Sequence, residues 1–415
     1  MTFSSLGLHE ALVSAMVQQG YAQPTPVQSA AVPPATAGRD VLVCAQTGSG
    51  KTAAFALAVL QRCKPASGGG FRHPQALILV PTRELAVQVG GVLSGLASAA
   101  HLSLRISVVF GGVSINPQLM ALRGGTDVVV ATTGRLLDIV AHNALDLGRV
   151  HMLVLDEADR MLDLGFAEEL ERVLAMVPAQ RQSLLFSATY SAQVRRLAEA
   201  RLREPVEITI DAQEQAAPDI VQRAITVDPS RRTQLLRHLV QQEQWPRVLV
   251  FVATKYAAEM VADKLRRAGL QAEPFHAQLS QGKRSQVLAD FKASQVQVVV
   301  ATDVAARGVD IAGLPVVVNF DLPRAAADYI HRIGRTGRAG LQGMAVSLVT
   351  AENAAHFALI EKRHGLQVVR ETIAGFEPEM VLPAVSRDQA AGGIKGRRPS
   401  KKDKLRAAGL LPPLA

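Results

Sequence analysis

The stretch Asp156-Glu157-Ala158-Asp159, at the end of the apolar run VHMLVL (150–155), decides how this chain is read. Mostly branched, apolar residues in such a run fit a strand buried on both faces, as in a parallel sheet. Open α/β sheets bind ligands at the carboxyl ends of their strands, so these acids emerge where a ligand would sit. Three carboxylates within four residues repel one another there unless a cation, or a metal carried by phosphate, balances them. That points to a chemical purpose over a solvated acidic turn.

Upstream, a second buried run, VLVC (41–44), leads directly into AQTGSGKT (45–52). This is a relaxed phosphate-loop pattern, with Ala45 in the place of the first glycine. Gly48 and Gly50 let backbone N–H groups turn inward around phosphates, with a helix N-terminus behind them. Lys51 offers the cation for β- and γ-phosphates, and Thr52 the hydroxyl for Mg²⁺. The strand before the turn and the amphipathic pattern TAAFALAVLQ after it supply the context such a loop needs. A phosphate loop with a distant strand ending in Asp-Glu is a nucleoside triphosphatase constellation.

Buried runs alternate with helical segments between about residues 35 and 210: VLVC, ALILV (76–80), ISVVF (106–110), DVVVAT (127–132), MLVL and SLLFSA (183–188). Such alternation predicts a parallel sheet wrapped by helices. A polar stretch, DAQEQAAPD (211–219), reads as a linker, and a second series follows: VLVFVA (248–253), VQVVVAT (296–302), LPVVVNF (314–320) and MAVSLVT (344–350). The expected division is an α/β domain over 1–210, a linker at 211–220, a second α/β domain over 221–375 and a basic tail over 376–415. VLVFVATKYAAEMVADKL looks like a distant repeat of VLVCAQTGSGKTAAFALAVL without the Gly-Lys-Thr turn. The tail segment GGIKGRRPSKKDKLR (392–406) is basic and lacks aromatics, which predicts disorder and an arm that attracts a polyanion.

Composition narrows the class. The 415 residues suit two or three domains, and 48% hydrophobic content fills their cores. The net charge of +9 suits a polyanionic partner. The only cysteines, Cys44 and Cys63, read as reduced thiols and not as a disulfide or metal site. The opening MTFSSLGLHE has no basic segment followed by an apolar core, so no secretory signal is expected and the chain reads as cytoplasmic. The uncharged stretch 85–104 carries Leu85, Val89, Leu93, Leu96 and Ala100 at helical spacing, which reads as a packed amphipathic helix and not a membrane span.

Eleven segments in order carry a family resemblance: GYAQPTPVQ (20–28), AQTGSGKT, PTRELA (81–86), GG (111–112), TTGR (132–135), DEAD, SAT (187–189), VLVFVAT (248–254), QGKR (281–284), ATDVAARGVD (301–310) and HRIGRTGR (331–338). From Phe3 to about residue 370 the chain resembles the DEAD-box RNA helicases, and within them the bacterial RhlE-type group. The resemblance implies two tandem RecA-like domains, with a Q motif in residues 1–29, that use ATP and Mg²⁺ and act on RNA. It also allows ribosome-assembly or RNA-decay complexes as partners.

Site residues follow from the same resemblance. ATP would be held by Ala45, Gln46, Thr47, Gly48, Ser49, Gly50, Lys51 and Thr52, with Gln28 on the adenine edge, Phe3 stacked on the base and Asp310 at the ribose. Asp156, with Thr52, would hold Mg²⁺ through water, and Glu157 would orient and deprotonate the attacking water. Asp159, Ser187, Ala188, Thr189 and His331 would couple the halves. Arg335 and Arg338 match arginine fingers; the spacing predicts Arg332, Arg335 and Arg338 on one helical face, within an arc of about 120°. RNA contacts would come from Pro81, Thr82, Arg83, Gly111, Gly112, Thr132, Gly134, Arg135, Thr254, Gln281, Arg284, Thr302 and Gly308, groups suited to sugar-phosphate and not to base reading. Thr133 stands where the family usually has proline, and Ala277 where RhlE-type chains usually have glycine. An ATP-gated RNA clamp would show the same catalytic residues, and a DNA-directed motor is the remaining alternative.

Overall fold

The structure, a computed structural model, describes residues 2–46, 48–65, 71–210, 220–306, 313–326, 328–337 and 342–379. Its strands form two wholly parallel seven-stranded sheets. The first contains β1 (Val41–Cys44), β2 (Ala76–Leu79), β3 (Ile106–Val109), β4 (Val128–Ala131), β5 (Met152–Leu155), β6 (Gln182–Ser187) and β7 (Val206–Thr209), in the order β3-β4-β2-β5-β6-β1-β7. The second contains β8 (Ile220–Thr226), β9 (Val248–Val252), β10 (Ala272–Phe275), β11 (Val298–Thr302), β12 (Val316–Asn319), β13 (Gly343–Val349) and β14 (Arg370–Glu371), in the order β10-β11-β9-β12-β13-β8-β14.

Continuous apolar runs form these central strands because both sheet faces are covered by helices. In β2, Ala76 and Ile78 enter one core cluster while Leu77 and Leu79 enter the other. Each such side chain, fully buried, contributes about 1.5–3 kcal/mol. A buried carboxylate fixes the base of the first sheet: Asp40, just before β1, accepts from the backbone N–H of Ser183 at 2.7 Å and of Arg203 at 2.8 Å.

The two strand orders match position by position, β1 with β8 and β2 with β9. This corrects the repeat read from sequence. VLVFVATKYAAEMVADKL starts at β9 and therefore corresponds to β2 and PTRELA, not to β1 and its phosphate loop. Two buried strands followed by amphipathic helices look alike in composition, and only hydrogen-bonded order separates them. Thr82 and Thr254 show the true correspondence. Each follows its strand and caps the next helix, accepting from Leu85 N at 3.3 Å and from Ala257 N at 3.1 Å. The real counterpart of β1 is IVQRAIT, which runs into Asp228 and a 3-10 turn at Pro229–Arg231 where the first sheet has glycines.

Four strands, β7, β8, β10 and β14, escape the apolar-run criterion because they are partly polar or lie at sheet edges. β10 carries Glu273 and Pro274, tolerable at an edge where proline breaks no central ladder. Ile220, expected in the linker, already belongs to β8. Residues 211–219 of that linker, and the tail beyond 379, lie outside the described residues. Among the described residues no helix is long and apolar enough to cross a membrane.

Candidate functional site between the two sheets

β1 ends at the glycine-rich turn, and the helix Lys51–Arg62 starts directly behind it. Gly50 has φ 96°, and a Cβ there would lie 2.6 Å from Gln28 Nε2 and 2.8 Å from Thr25 Oγ1, so only glycine fits. Those two neighbours form a capping box on the helix Pro26–Thr36. Gln28 Oε1 accepts from Thr25 N at 3.0 Å, and its Nε2 donates to Gly50 O at 3.3 Å. Gln28 is buried, and one lone pair and one N–H of its amide take no part in these two bonds. Gln28 is thereby tied to the phosphate loop, a link that sequence reading missed.

Lys51 is buried, and its ammonium donates to the carbonyl oxygens of Ala45 and, at 3.1 Å, Gln46. Burial lowers its pKa, while Asp156, Glu157 and Asp159 act in the opposite direction. Ser49 Oγ is buried without a hydrogen-bond partner, and Thr52 follows Lys51 in the first helical turn. Thr47 lies outside the described residues. Phe3 is 3% exposed and belongs to the same hydrophobic core cluster as Leu6. An aromatic near the start of a chain has no sequence signal that separates a stacking platform from a core residue.

At the end of β5 the chain turns abruptly. Glu157 adopts φ 51°, ψ 50°, the left-handed region that costs a non-glycine residue about 1 kcal/mol or more. The turn buries Asp156, whose Oδ1 accepts from Glu157 N at 3.0 Å. Burial first, and the neighbouring Glu157 second, push the Asp156 carboxyl up to about 7, against the pull of Lys51. Glu157 Oε2 meets Arg160 Nη1 at 2.5 Å. Asp159 Oδ2 accepts from Thr189 Oγ1 at 2.9 Å, and Ser187 Oγ donates to Thr189 O at 2.8 Å. The last acid of the DEAD segment is thus joined to the SAT segment.

The donor set bears on Mg²⁺. Among the described residues no group of three or more His, Cys, Asp or Glu side chains is arranged to hold a metal. Mg²⁺ in phosphate-transfer sites is held by one or two carboxylates together with phosphate oxygens and water. A buried Asp156 whose charge is opposed by its surroundings fits that mode, and Ser49 in the phosphate loop carries an unpartnered hydroxyl.

A cavity open to solvent takes Glu157, Asp159, Arg160 and Ala188 from the first half and His331 and Arg335 from the second. Arg335 departs from the helical reading. The helix Asp328–Ile333 ends before it, and Gly334-Arg335 forms a turn. Arg332 remains in the helix but points into the core, donating to both oxygens of Asp303 at 2.6 Å, to Asn319 Oδ1 at 3.1 Å and to Asp321 O at 2.6 Å. The expected shared face is overturned because glycine ends the helix after its last buried turn. Arg338, Asp310 and Gly308 lie outside the described residues.

The residues expected at RNA follow strands of both sheets. Pro81 is buried, and Thr82 caps the helix Arg83–Ala99. Arg83 donates to Gly112 O at 3.4 Å and, across the cleft, to Ala277 O at 3.2 Å. A Cβ on Gly112 would lie 2.2 Å from Arg83 Nη1, so this glycine makes room for the arginine. Gly111 N donates to Thr132 Oγ1 at 3.4 Å. Arg135 is buried beside exposed Gly134; its Nη2 donates to Val113 O at 2.7 Å while Nε and Nη1 have no hydrogen-bond partner. Thr254 is exposed, and Thr302 and Gln281 are half-buried. Arg284 is buried and pairs with Glu84 of the first half at 2.9 Å. A buried guanidinium needs a carboxylate, and nothing in sequence joins residues 200 apart. Arg160 was legible, since it stands three residues after Glu157 on one helical turn.

Two parallel sheets of equal strand order, one entered by a phosphate-loop turn, define a tandem RecA-like fold. The family model for the DEAD/DEAH box helicase matches residues 25–197, and that for the helicase conserved C-terminal domain matches residues 231–340. The chain is 40% identical over 361 residues to the DEAD-box ATP-dependent RNA helicase CshA of Geobacillus kaustophilus, covering 87% of this chain and 76% of that one. It therefore belongs to the DEAD-box family of ATP-dependent RNA helicases. Solved structures of a variant of S. cerevisiae Dbp5 are also similar to this chain. Bound to RNA and ADP-BeF3 it superposes with TM-score 0.78 at 30% identity, over 89% of this chain and 95% of that one. Bound to Nup159, a Gle1 variant, IP6 and ADP it superposes with TM-score 0.61 at 28% identity, over 90% and 96%.

Proposed function

We propose that ATP binds on the turn 45–52, that Lys51 neutralises its phosphates, and that Asp156 and Thr52 would hold Mg²⁺, which would supply positive charge to the phosphates. Glu157 acts as base toward water, and Arg335, with Arg338, reaches the phosphate from the second domain. Asp159, Ser187, Thr189 and His331 pass the nucleotide state between the sheets. RNA lies across both domains on backbone contacts from Thr82, Arg83, Gly111, Gly112, Thr132, Gly134, Arg135, Thr254, Gln281 and Thr302. ATP binding closes the cleft and strains the held strand, so that a short duplex loses pairing; hydrolysis reopens it. One observation carries this reading: Glu157 and Arg335, from different sheets, line a single cavity.

We also propose the RhlE-type group, on motif resemblance alone, a cytoplasmic setting, and recruitment to ribosome-assembly or RNA-decay complexes. The basic tail adds RNA affinity through charge, with little sequence reading. The test is ATPase rate and short-duplex separation with RNAs and matching DNAs, for wild type and Glu157→Gln. We expect RNA to stimulate and DNA not to, and Glu157→Gln to bind ATP and RNA while turning over poorly. ATP-dependent retention on single strands without duplex separation would make the protein a clamp. Full turnover by Glu157→Gln would remove Glu157 from the chemistry.

A further inference from the structure

Arg160 has no place in the roles assigned above, yet it sits against the centre of the site. Its Nη1 lies 2.5 Å from Glu157 Oε2, and the two side chains are only 12% and 10% exposed. Its Nε and Nη2 are buried with no hydrogen-bond partner. Unpaired buried N–H groups carry a desolvation penalty that an apolar side chain at this position would avoid. The guanidinium is therefore present for the one contact it makes.

That contact has a defined consequence for the carboxylate. Asp156 and Asp159 flank Glu157 in the chain and repel it, while Lys51 acts from the phosphate-loop helix. Asp163 lies on the following turn, and Asp328, His331 and Arg335 face the cavity from the second sheet. Arg160, on the same helical turn as Glu157, opposes the repulsion from a fixed position and engages Oε2, leaving Oε1 outside the ion pair.

We propose that Arg160 is a positioning residue for hydrolysis: it holds Glu157 by Oε2 so that Oε1 is presented to the attacking water. The proposal rests on the reading of Glu157 as the base. It is tested by single-turnover hydrolysis in the full chain with ATP and RNA saturating, alongside ATP and RNA affinities and thermal melts. Misplacement of a reacting group by about 1 Å can cost about 100-fold, so Arg160→Ala should slow cleavage by about 10- to 100-fold with both affinities within about twofold. Because the pair uses one nitrogen, Arg160→Lys should restore most of the rate, and Arg160→Gln, similar in reach but uncharged, much less. The double variant Glu157→Gln/Arg160→Ala should be no slower than Glu157→Gln alone, as for residues acting through one another.

Wild-type cleavage by Arg160→Ala overturns the proposal, and so does faster cleavage, which would make the pair a latch. Equal loss in the Lys and Gln variants, or loss of ATP binding, would reduce Arg160 to a structural part. If Arg160→Ala does not fold, the ranking of Lys over Gln decides alone. Full turnover by Glu157→Gln defeats the base reading itself, whereas a slow Glu157→Gln beside a normal Arg160→Ala defeats only this proposal.

Discussion

The two sheets share one strand order but treat charge at their strand ends in opposite ways. After β12 the second sheet closes its charges. Arg232 pairs with Asp321 at 2.6 Å, Asp321 also accepts from Ala253 N at 2.8 Å, and Arg332 is held by Asp303 and Asn319. After β5, at the matching position, the first sheet crowds Asp156, Glu157 and Asp159 together and buries Asp156 with its carboxyl pushed up to about 7. A closed network stabilises a scaffold. A cluster whose charge is opposed by burial stores a demand for cations, which a phosphate-bound metal and a second-domain arginine would meet. Under the proposed function the halves would divide labour: the first would hold the reacting groups, and the second would frame Arg335 beside them.

That division can be broken most severely at Arg335. Loss of an arginine finger costs on the order of 10³-fold in turnover. Arg335→Ala should therefore lower kcat by about that factor, with ATP affinity little changed because Gln28 and Lys51 remain in the first domain. Wild-type hydrolysis with RNA saturating would mean that the second domain does not complete the site. Stopped assays of phosphate release decide it.

A smaller effect is expected where the frame is fastened. Glu84 and Arg284 are a buried pair between the two sides of the cleft, and leaving one partner alone costs about 3–5 kcal/mol. Glu84→Ala should weaken RNA-stimulated hydrolysis while ATP binding without RNA stays normal. The Glu84→Ala/Arg284→Ala pair should recover part of the loss, because no charge is left buried. If both variants hydrolyse normally, the pair does not hold the closed arrangement together.

The mildest test concerns the stored charge itself. The folded pKa of Asp156 is raised above the unfolded value, so its protonated form stabilises the nucleotide-free protein at low pH. That contribution is lost as pH rises from about 4 through about 7. Asp156→Asn, which keeps an oxygen for Glu157 N, should melt a few degrees above wild type at pH 8 and level with it near pH 4, a shift of the size about 1 kcal/mol gives. Equal melting at both pH values would mean that Asp156 carries no such burden. Adding Mg²⁺ and ATP should erase the advantage at pH 8.

Much of this was written in the chain itself. The buried runs VLVC, ALILV and MLVL, the turn AQTGSGKT and the acids after β5 are local signals, because a strand's burial and a glycine's turn depend on neighbouring residues. Tertiary structure decided the rest. Which strand of the second half matches β1 depended on ladder order, since VLVFV and VLVC are equally apolar. Phe3 went to the core and Arg284 to Glu84 because burial and pairing are set by residues far away in the chain. Arg332 and Arg335 parted because a glycine ended the helix between them and the second sheet offered Arg332 carboxylate partners. The chemistry of single residues is local and therefore legible; which residue meets which is a property of the closed fold.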